Sequence, residues 1–292
     1  MEQFLGSEAI TDYQNAKAII LPVPYEKTTT YRKGSQYGAL AIVQASNQLE
    51  AYDDELGLET CLEVGIHTVD AIADTRTDPN ISAKAMLVTT TEEVTRLIRD
   101  GKFVVTLGGE HAITAGVVKA YLETLSEPFT VVQIDAHGDM RHSYEGSIHN
   151  HACVMRRVLD LNLPTLPIGI RSICKEEAEL IRKQHIPVMF ARDIYYDRNW
   201  VEKAIKSIKT RQVFITVDLD GLDPSLLPGV GTPEPGGLNW YELTRFLKQL
   251  FIQHDVIGCD VMELAPTNDS VVSEFTAAKL VYKMIGYHHC FS

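Results

Sequence analysis

The chain has 292 residues, 45% hydrophobic and 23% charged, the balance of a globular domain in water. Its 27 Lys and Arg against 39 Asp and Glu leave a formal net charge of −12, which argues against nucleic acid as a partner, because a phosphate backbone needs a Lys/Arg-rich face. The opening MEQFLGSEAITDYQ lacks a signal-peptide pattern, no apolar run reaches membrane-spanning length, and the five cysteines show no CxxC spacing, so a cytoplasmic protein without structural disulfides or a cysteine zinc site is expected.

In chain order the apolar patterning predicts strands at 18–23 and 65–69, a helix at 91–99, a strand at 103–107 and a helix at 112–125. Strands follow at 130–134 and 166–170, then a helix at 175–184, a strand at 187–190, a helix at 199–208, a strand at 213–217, a helix at 241–253, a strand at 256–261 and a helix at 275–285. Most of the strands are too evenly apolar to have a wet face, which suits a parallel sheet covered on both sides. In 112–125, Ile113, Val117, Tyr121 and Leu125 fall on one stripe at the 3.6-residue period. The alternation predicts a single-domain three-layer αβα sandwich over 1–292, with a mostly parallel, doubly wound sheet of about eight strands. The Pro- and Gly-rich stretch DPSLLPGVGTPEPGGLNW at 223–240 is too long for an ordinary connection and predicts a functional loop.

Polar groups gather where ligands bind in such sheets, past the carboxyl ends of strands. GGEH carries His111; QIDAHGD carries Asp135, His137 and Asp139 at alternate positions; VDLDG carries Asp218 and Asp220; DVMEL carries Glu263. Side chains two apart on an extended segment point the same way, and clustered buried carboxylates need a counter-charge. Four carboxylates balance two divalent cations, and an oxygen-rich set with some imidazole suits Mn²⁺. Two such ions about 3.5–4 Å apart could share and activate a water.

GGEH, DAHGD, VDLDGLDPSLLPGVGTPEPGG and DVMEL, with VPYEKTTTYRKGSQYGALAI near the start, resemble the signature stretches of the ureohydrolases, the arginase and agmatinase family, over about 23–263. The resemblance implies one Mn²⁺ on His111, Asp135, Asp139 and Asp218, and a second on His137, Asp135, Asp218 and Asp220, so that Asp135 and Asp218 bridge. It implies that a bridging hydroxide attacks a guanidinium carbon to give urea and an amine. His151 would carry protons and Glu263 would receive the guanidinium. A homo-oligomer, trimer or hexamer, is implied on the same ground. Arg141 stands where arginases place an asparagine that holds arginine's carboxylate, which favours agmatine as substrate; guanidino acids, arginine, aminopropylagmatine and guanidine are the alternatives. Gly38-Ala39 replaces the family's common Gly-Pro, and Val230 replaces a small hydroxyl residue.

Other functions are expected to read differently. A mononuclear zinc deacetylase would not need His111, Asp139 and Asp220 together, a two-metal phosphoesterase would need a basic phosphate clamp, and a non-catalytic relative would be expected to lose His151 or Glu263. Among neighbouring residues, His142 and His149 are expected on a solvated rim, and Cys153 as a packing residue. Asp260 is expected behind the ligands and Asp223 at a turn. Arg171 is expected in a structural ion pair and His288-His289 in an exposed tail; Glu110 is given no role.

Overall fold

The structure is a computed structural model that describes residues 2–6 and 11–292. Ten strands and ten α-helices follow in chain order among the described residues. They begin with β1 (Ala18–Val23), α1 (Gly38–Ser46), β2 (Tyr52–Asp53), β3 (Leu58–Glu59), α2 (Thr60–Val64), β4 (Ile66–Thr68), α3 (Ala83–Arg99) and β5 (Phe103–Gly108). Next come α4 (Thr114–Thr124), β6 (Phe129–Ile134), α5 (Val154–Asp160), β7 (Thr165–Ile170), α6 (Lys175–Gln184), β8 (Met189–Phe190) and α7 (Ala191–Tyr196). The chain ends with α8 (Trp200–Ser207), β9 (Gln212–Asp218), α9 (Trp240–Gln253), β10 (Asp255–Met262) and α10 (Val272–Phe291).

Eight strands form one parallel sheet in the order β4-β1-β5-β10-β9-β6-β7-β8. Each of the eight expected strands is found in it. β2 and β3 form a separate antiparallel hairpin that the patterning does not signal. The sheet is apolar on both faces because its strands alternate between two cores. Ile20, Val105, Val132 and Ile215 pack with α1, α8, α9 and α10, while Ile19, Val104, Val131 and Phe214 pack with α3, α4 and α5. That is the three-layer arrangement expected, and it keeps strand backbone away from water.

The topology also decides where chemistry can occur. β5 and β6 are consecutive in sequence yet lie apart, with β10 and β9 inserted between them. At such a switch the connections leave in opposite directions and open a crevice above the strand ends. Four central strands therefore deliver their carboxyl-terminal loops to one place.

Two expectations about the ends of elements are corrected. α10 runs to Phe291, so His288 and His289 lie in a helix; the His288 ring stacks on Phe103 with centroids 3.8 Å apart and is half-buried. Both residues belong to a 20-residue helix whose other flank is core, which holds them against the sheet edge. Arg171 makes no carboxylate pair among the described residues. Its guanidinium donates to the carbonyls of Gly169, Asp220, Gly221, Leu222, Glu234 and Pro235, which fastens the 219–237 loop to β7. Carbonyls converging from a tight loop satisfy a planar five-donor group as well as a carboxylate could.

Candidate metal centre and cavity

Each expected ligand sits just past a central strand. His111 opens a 3₁₀ turn after β5, Asp135 follows β6 directly, Asp218 ends β9, and Asp220 lies on the next 3₁₀ turn. Their donor atoms form two groups, each within 4.8 Å: His111, Asp135, Asp139 and Asp218, and then Asp135, His137 and Asp220. Asp135 joins the two. Its Oδ2 lies 3.2 Å from His111 Nδ1 and its Oδ1 lies 3.7 Å from His137 Nδ1. Asp218 belongs to the first group alone. Its Oδ2 is 3.3 Å from His111 Nδ1, while Oδ1 accepts the Asp220 backbone N–H at 3.0 Å.

The cluster is deeply buried, apart from the half-exposed His137. Burial acts to push both histidines down, yet hydrogen bonds to the carboxylates overwhelm it: His111 is held well above its ordinary value by Asp135, Asp139 and Asp218, and His137 rises to about 12 beside Asp135 and Asp220. Burial also pushes Asp218 well up, with the neighbouring Asp220 and Asp135 charges adding to it, and raises Asp139 to about 7. Four carboxylates this close must take up protons or cations. The donors are oxygen and imidazole nitrogen with no thiolate, a set that fits hard divalent cations. His111 turns its other nitrogen to the Thr216 hydroxyl at 2.9 Å, and Asp260 is the cross-strand neighbour of Thr216. Burial raises Asp260 to about 6. It stands behind the cluster, beside the Thr216 that contacts His111.

Above the cluster lies a cavity of about 190 Å³. Asp139, Asp218, Asp220 and His137 form its floor; His151, Glu263, Arg141, Tyr144 and Arg32 stand among its walls. Glu263 Oε1 accepts the His111 backbone N–H at 2.7 Å, so Oε2 is the oxygen left for a ligand. Asp139 and Glu263 both take left-handed backbone, with φ of 52° and 65°, strain that persists only where the surroundings hold it. Arg141 lies over the Tyr144 ring at 4.7 Å, and its own N–H donates to Ala152. His142 is exposed on the rim, and His149 is half-buried and outside the cavity lining. Cys153 is fully buried and burial pushes its thiol up to about 11, so it packs without acting as a nucleophile. Asp223 does start a turn, accepting from Ser225, and it also accepts from the N–H groups of Gly236 and Gly237.

The residue that sequence reasoning passed over is Glu110. It is fully buried and accepts the N–H groups of Lys27 and Thr28 at 2.5 and 2.6 Å and the Thr28 hydroxyl at 2.8 Å. A glutamate beside His111 of the cluster in GGEH is the available signal.

A buried carboxylate–imidazole cluster at the switch point of a parallel α/β sheet defines a metal-dependent enzyme of the hydrolase type. The Arginase family model matches residues 16–286, and the chain belongs to the arginase family of ureohydrolases, which cleave a carbon–nitrogen bond in guanidino compounds. It is 58% identical over 286 residues to the N(1)-aminopropylagmatine ureohydrolase of Synechocystis sp., covering 98% of this chain and 94% of that protein. It is 33% identical to the agmatinase of Pyrococcus horikoshii, covering 94% of this chain and 93% of that one. Among solved structures, the agmatine ureohydrolase of Thermoplasma volcanium superposes with a TM-score of 0.85 at 32% identity, over 99% of this chain and 94% of that one.

Proposed function

We propose that the enzyme hydrolyses the guanidino group of N(1)-aminopropylagmatine, releasing urea and the corresponding triamine, with agmatine as the second reading. The observation that carries the chemistry is the six-residue cluster, four of whose members floor a cavity walled by His151 and Glu263. The substrate rests on the 58% likeness, end to end, to a protein of that name. Arg141, standing where arginases place an asparagine, favours agmatine, and a relative named agmatinase supports that reading at 33% identity. A polycation also suits a chain of net charge −12.

Two Mn²⁺ ions on His111, Asp135, Asp139, Asp218, His137 and Asp220 would neutralise the carboxylates and supply an activated water near neutral pH. The protein's side chains do the rest. Glu263 draws the guanidinium over the floor through charge-assisted hydrogen bonds, which fixes the carbon for attack. The water's oxygen bonds to that carbon, the carbon–nitrogen bond to the amine breaks, and both water protons end on the departing nitrogen. His151 carries protons to it; burial lowers this imidazole to about 4, so the ring is neutral at neutral pH.

Urea release by the Mn²⁺-loaded enzyme across aminopropylagmatine, agmatine, arginine and 4-guanidinobutyrate tests the reading. Aminopropylagmatine should exceed agmatine in kcat/KM by about tenfold or more, the equivalent of roughly 1.4 kcal/mol, with arginine far behind. Agmatine matching or exceeding it would transfer the assignment to agmatine. Preference for the guanidino acid would overturn both and make Arg141 a carboxylate site.

A further inference from the structure

We propose that Glu110, acting through the Thr28 hydroxyl, is a positioning residue that sets the tautomer and orientation of His151; this rests on the proton-carrying role given to His151 above. The Thr28 hydroxyl has one proton, and it lies 2.8 Å from Glu110 Oε1. The same oxygen lies 3.0 Å from the His151 backbone N–H and 3.3 Å from His151 Nδ1. A hydroxyl that donates to a carboxylate has only lone pairs for its other neighbours. It therefore accepts from both His151 groups, so Nδ1 carries hydrogen and Nε2 is the bare nitrogen that can take a proton in the cavity.

Glu110 itself is locked. The backbone N–H groups of Lys27 and Thr28 both point at Oε2, which leaves Oε1 to face Thr28 as an acceptor. The Gly109 and Glu110 N–H groups in turn donate to the carbonyls of Val23 and Tyr25, so the 23–28 segment and the end of β5 move as one body. A base held by a second group that is itself held by a third has the logic of a catalytic triad, here with a hydroxyl interposed. When His151 is protonated at Nε2, the same chain lets the carboxylate steady the imidazolium through Thr28.

The test uses Glu110→Gln, which keeps the shape and inverts the polarity. The Lys27 and Thr28 N–H groups keep the amide oxygen at Oε2, so the amide NH₂ faces Thr28. Thr28 must then donate to His151 Nδ1, and the ring is driven into the Nε2–H form. Nitrogen-15 NMR of histidine-labelled, Zn²⁺-loaded protein reads the tautomer directly. The expected result is Nδ1–H in the wild type, Nε2–H in Glu110→Gln, and kcat for urea release lowered about 100-fold or more with KM and bound-metal content unchanged. Thr28→Val should lose rate in the same way and Thr28→Ser should recover most of it. A wild-type ring in the Nε2–H form, an unchanged kcat in Glu110→Gln, or a loss that follows metal loss from the adjacent His111 would overturn the proposal. Should the tautomer invert while no guanidino compound releases urea even with the wild type, the assigned reaction fails and the positioning role stands.

Discussion

Among the described residues Asp135 alone is shared by both donor groups, so substitutions around it should separate the two cation positions proposed above. Asp220→Asn removes a partner found only in the second group, and metal analysis of the gel-filtered protein should then give one divalent ion per chain; Asp135→Asn should give less than one. Two ions retained in Asp220→Asn would sink the two-position reading. His288 carries a different prediction. Burial on Phe103 depresses its pKa to about 4 from an ordinary 6.5. The folded form then binds fewer protons than the unfolded one between those values. The contribution is complete above about pH 6.5 and is lost as pH falls toward 4, at most about 3 kcal/mol. His288→Phe should keep the stack and flatten the fall of the thermal midpoint over that window. The clustering of Asp135, His137 and Asp139 was legible in the sequence because alternate positions on an extended segment share a face. Glu110 was not, because its partners at Lys27 and Thr28 lie 83 and 82 residues away and no spacing rule connects them.

At the scale of elements, the loops after β5, β6, β9 and β10 are placed by close backbone contact as much as by side chains. A Cβ on Gly109 would lie 2.1 Å from the Tyr25 carbonyl oxygen, and one on Gly38 would lie 2.4 Å from the Leu264 carbonyl oxygen. Both are collisions with backbone, which cannot rotate away. Gly109→Ala should therefore push β5's end from the 23–28 segment and destabilise the protein by about 1–3 kcal/mol, seen as a lower urea-denaturation midpoint, together with a loss of turnover larger than that of Gly101→Ala. Gly101 has a φ of 72° but open space beside it, so its Ala variant carries backbone strain without a collision. The absence of a Pro at Ala39 has a small consequence by comparison, since α1 starts at Gly38 against Leu264. All eight sheet strands could be read from apolar runs because both faces are dry. The helices α2, α5 and α7 are short, lack a long apolar stripe and carry no signal in the patterning. α3 starts eight residues earlier than its periodic segment because Ser82 caps it, accepting the Ala85 N–H at 3.1 Å.

For the whole molecule, the sheet explains the site, but the last helix and an early hairpin are tied together elsewhere. Lys283 of α10 is nearly buried and donates to Asp53 at 2.8 Å and Glu55 at 2.9 Å, while Tyr287 donates to Glu55 at 2.7 Å and Lys248 of α9 lies 3.0 Å from it. Asp53 Oδ1 also accepts the N–H groups of Glu55 and Leu56, so the hairpin's turn is organised around the same carboxylate. No strand of the main sheet takes part and none of these residues lines the cavity, so the network fastens the hairpin and the two helices without touching the chemistry. Lys283→Met keeps the length of the side chain but leaves Asp53 buried without its cation. Removing one partner of a buried pair typically costs about 3–5 kcal/mol, whereas replacing both by neutral groups costs far less. Chemical denaturation should thus show a large loss for Lys283→Met and a substantial recovery in Lys283→Met with Asp53→Asn. Hydrogen exchange at 52–59 should rise in the single variant, while KM and metal content stay at wild-type values. If the double variant is no more stable than the single, the cost lies in lost packing of the lysine stem, and the carboxylates contribute little to holding α10 on the hairpin.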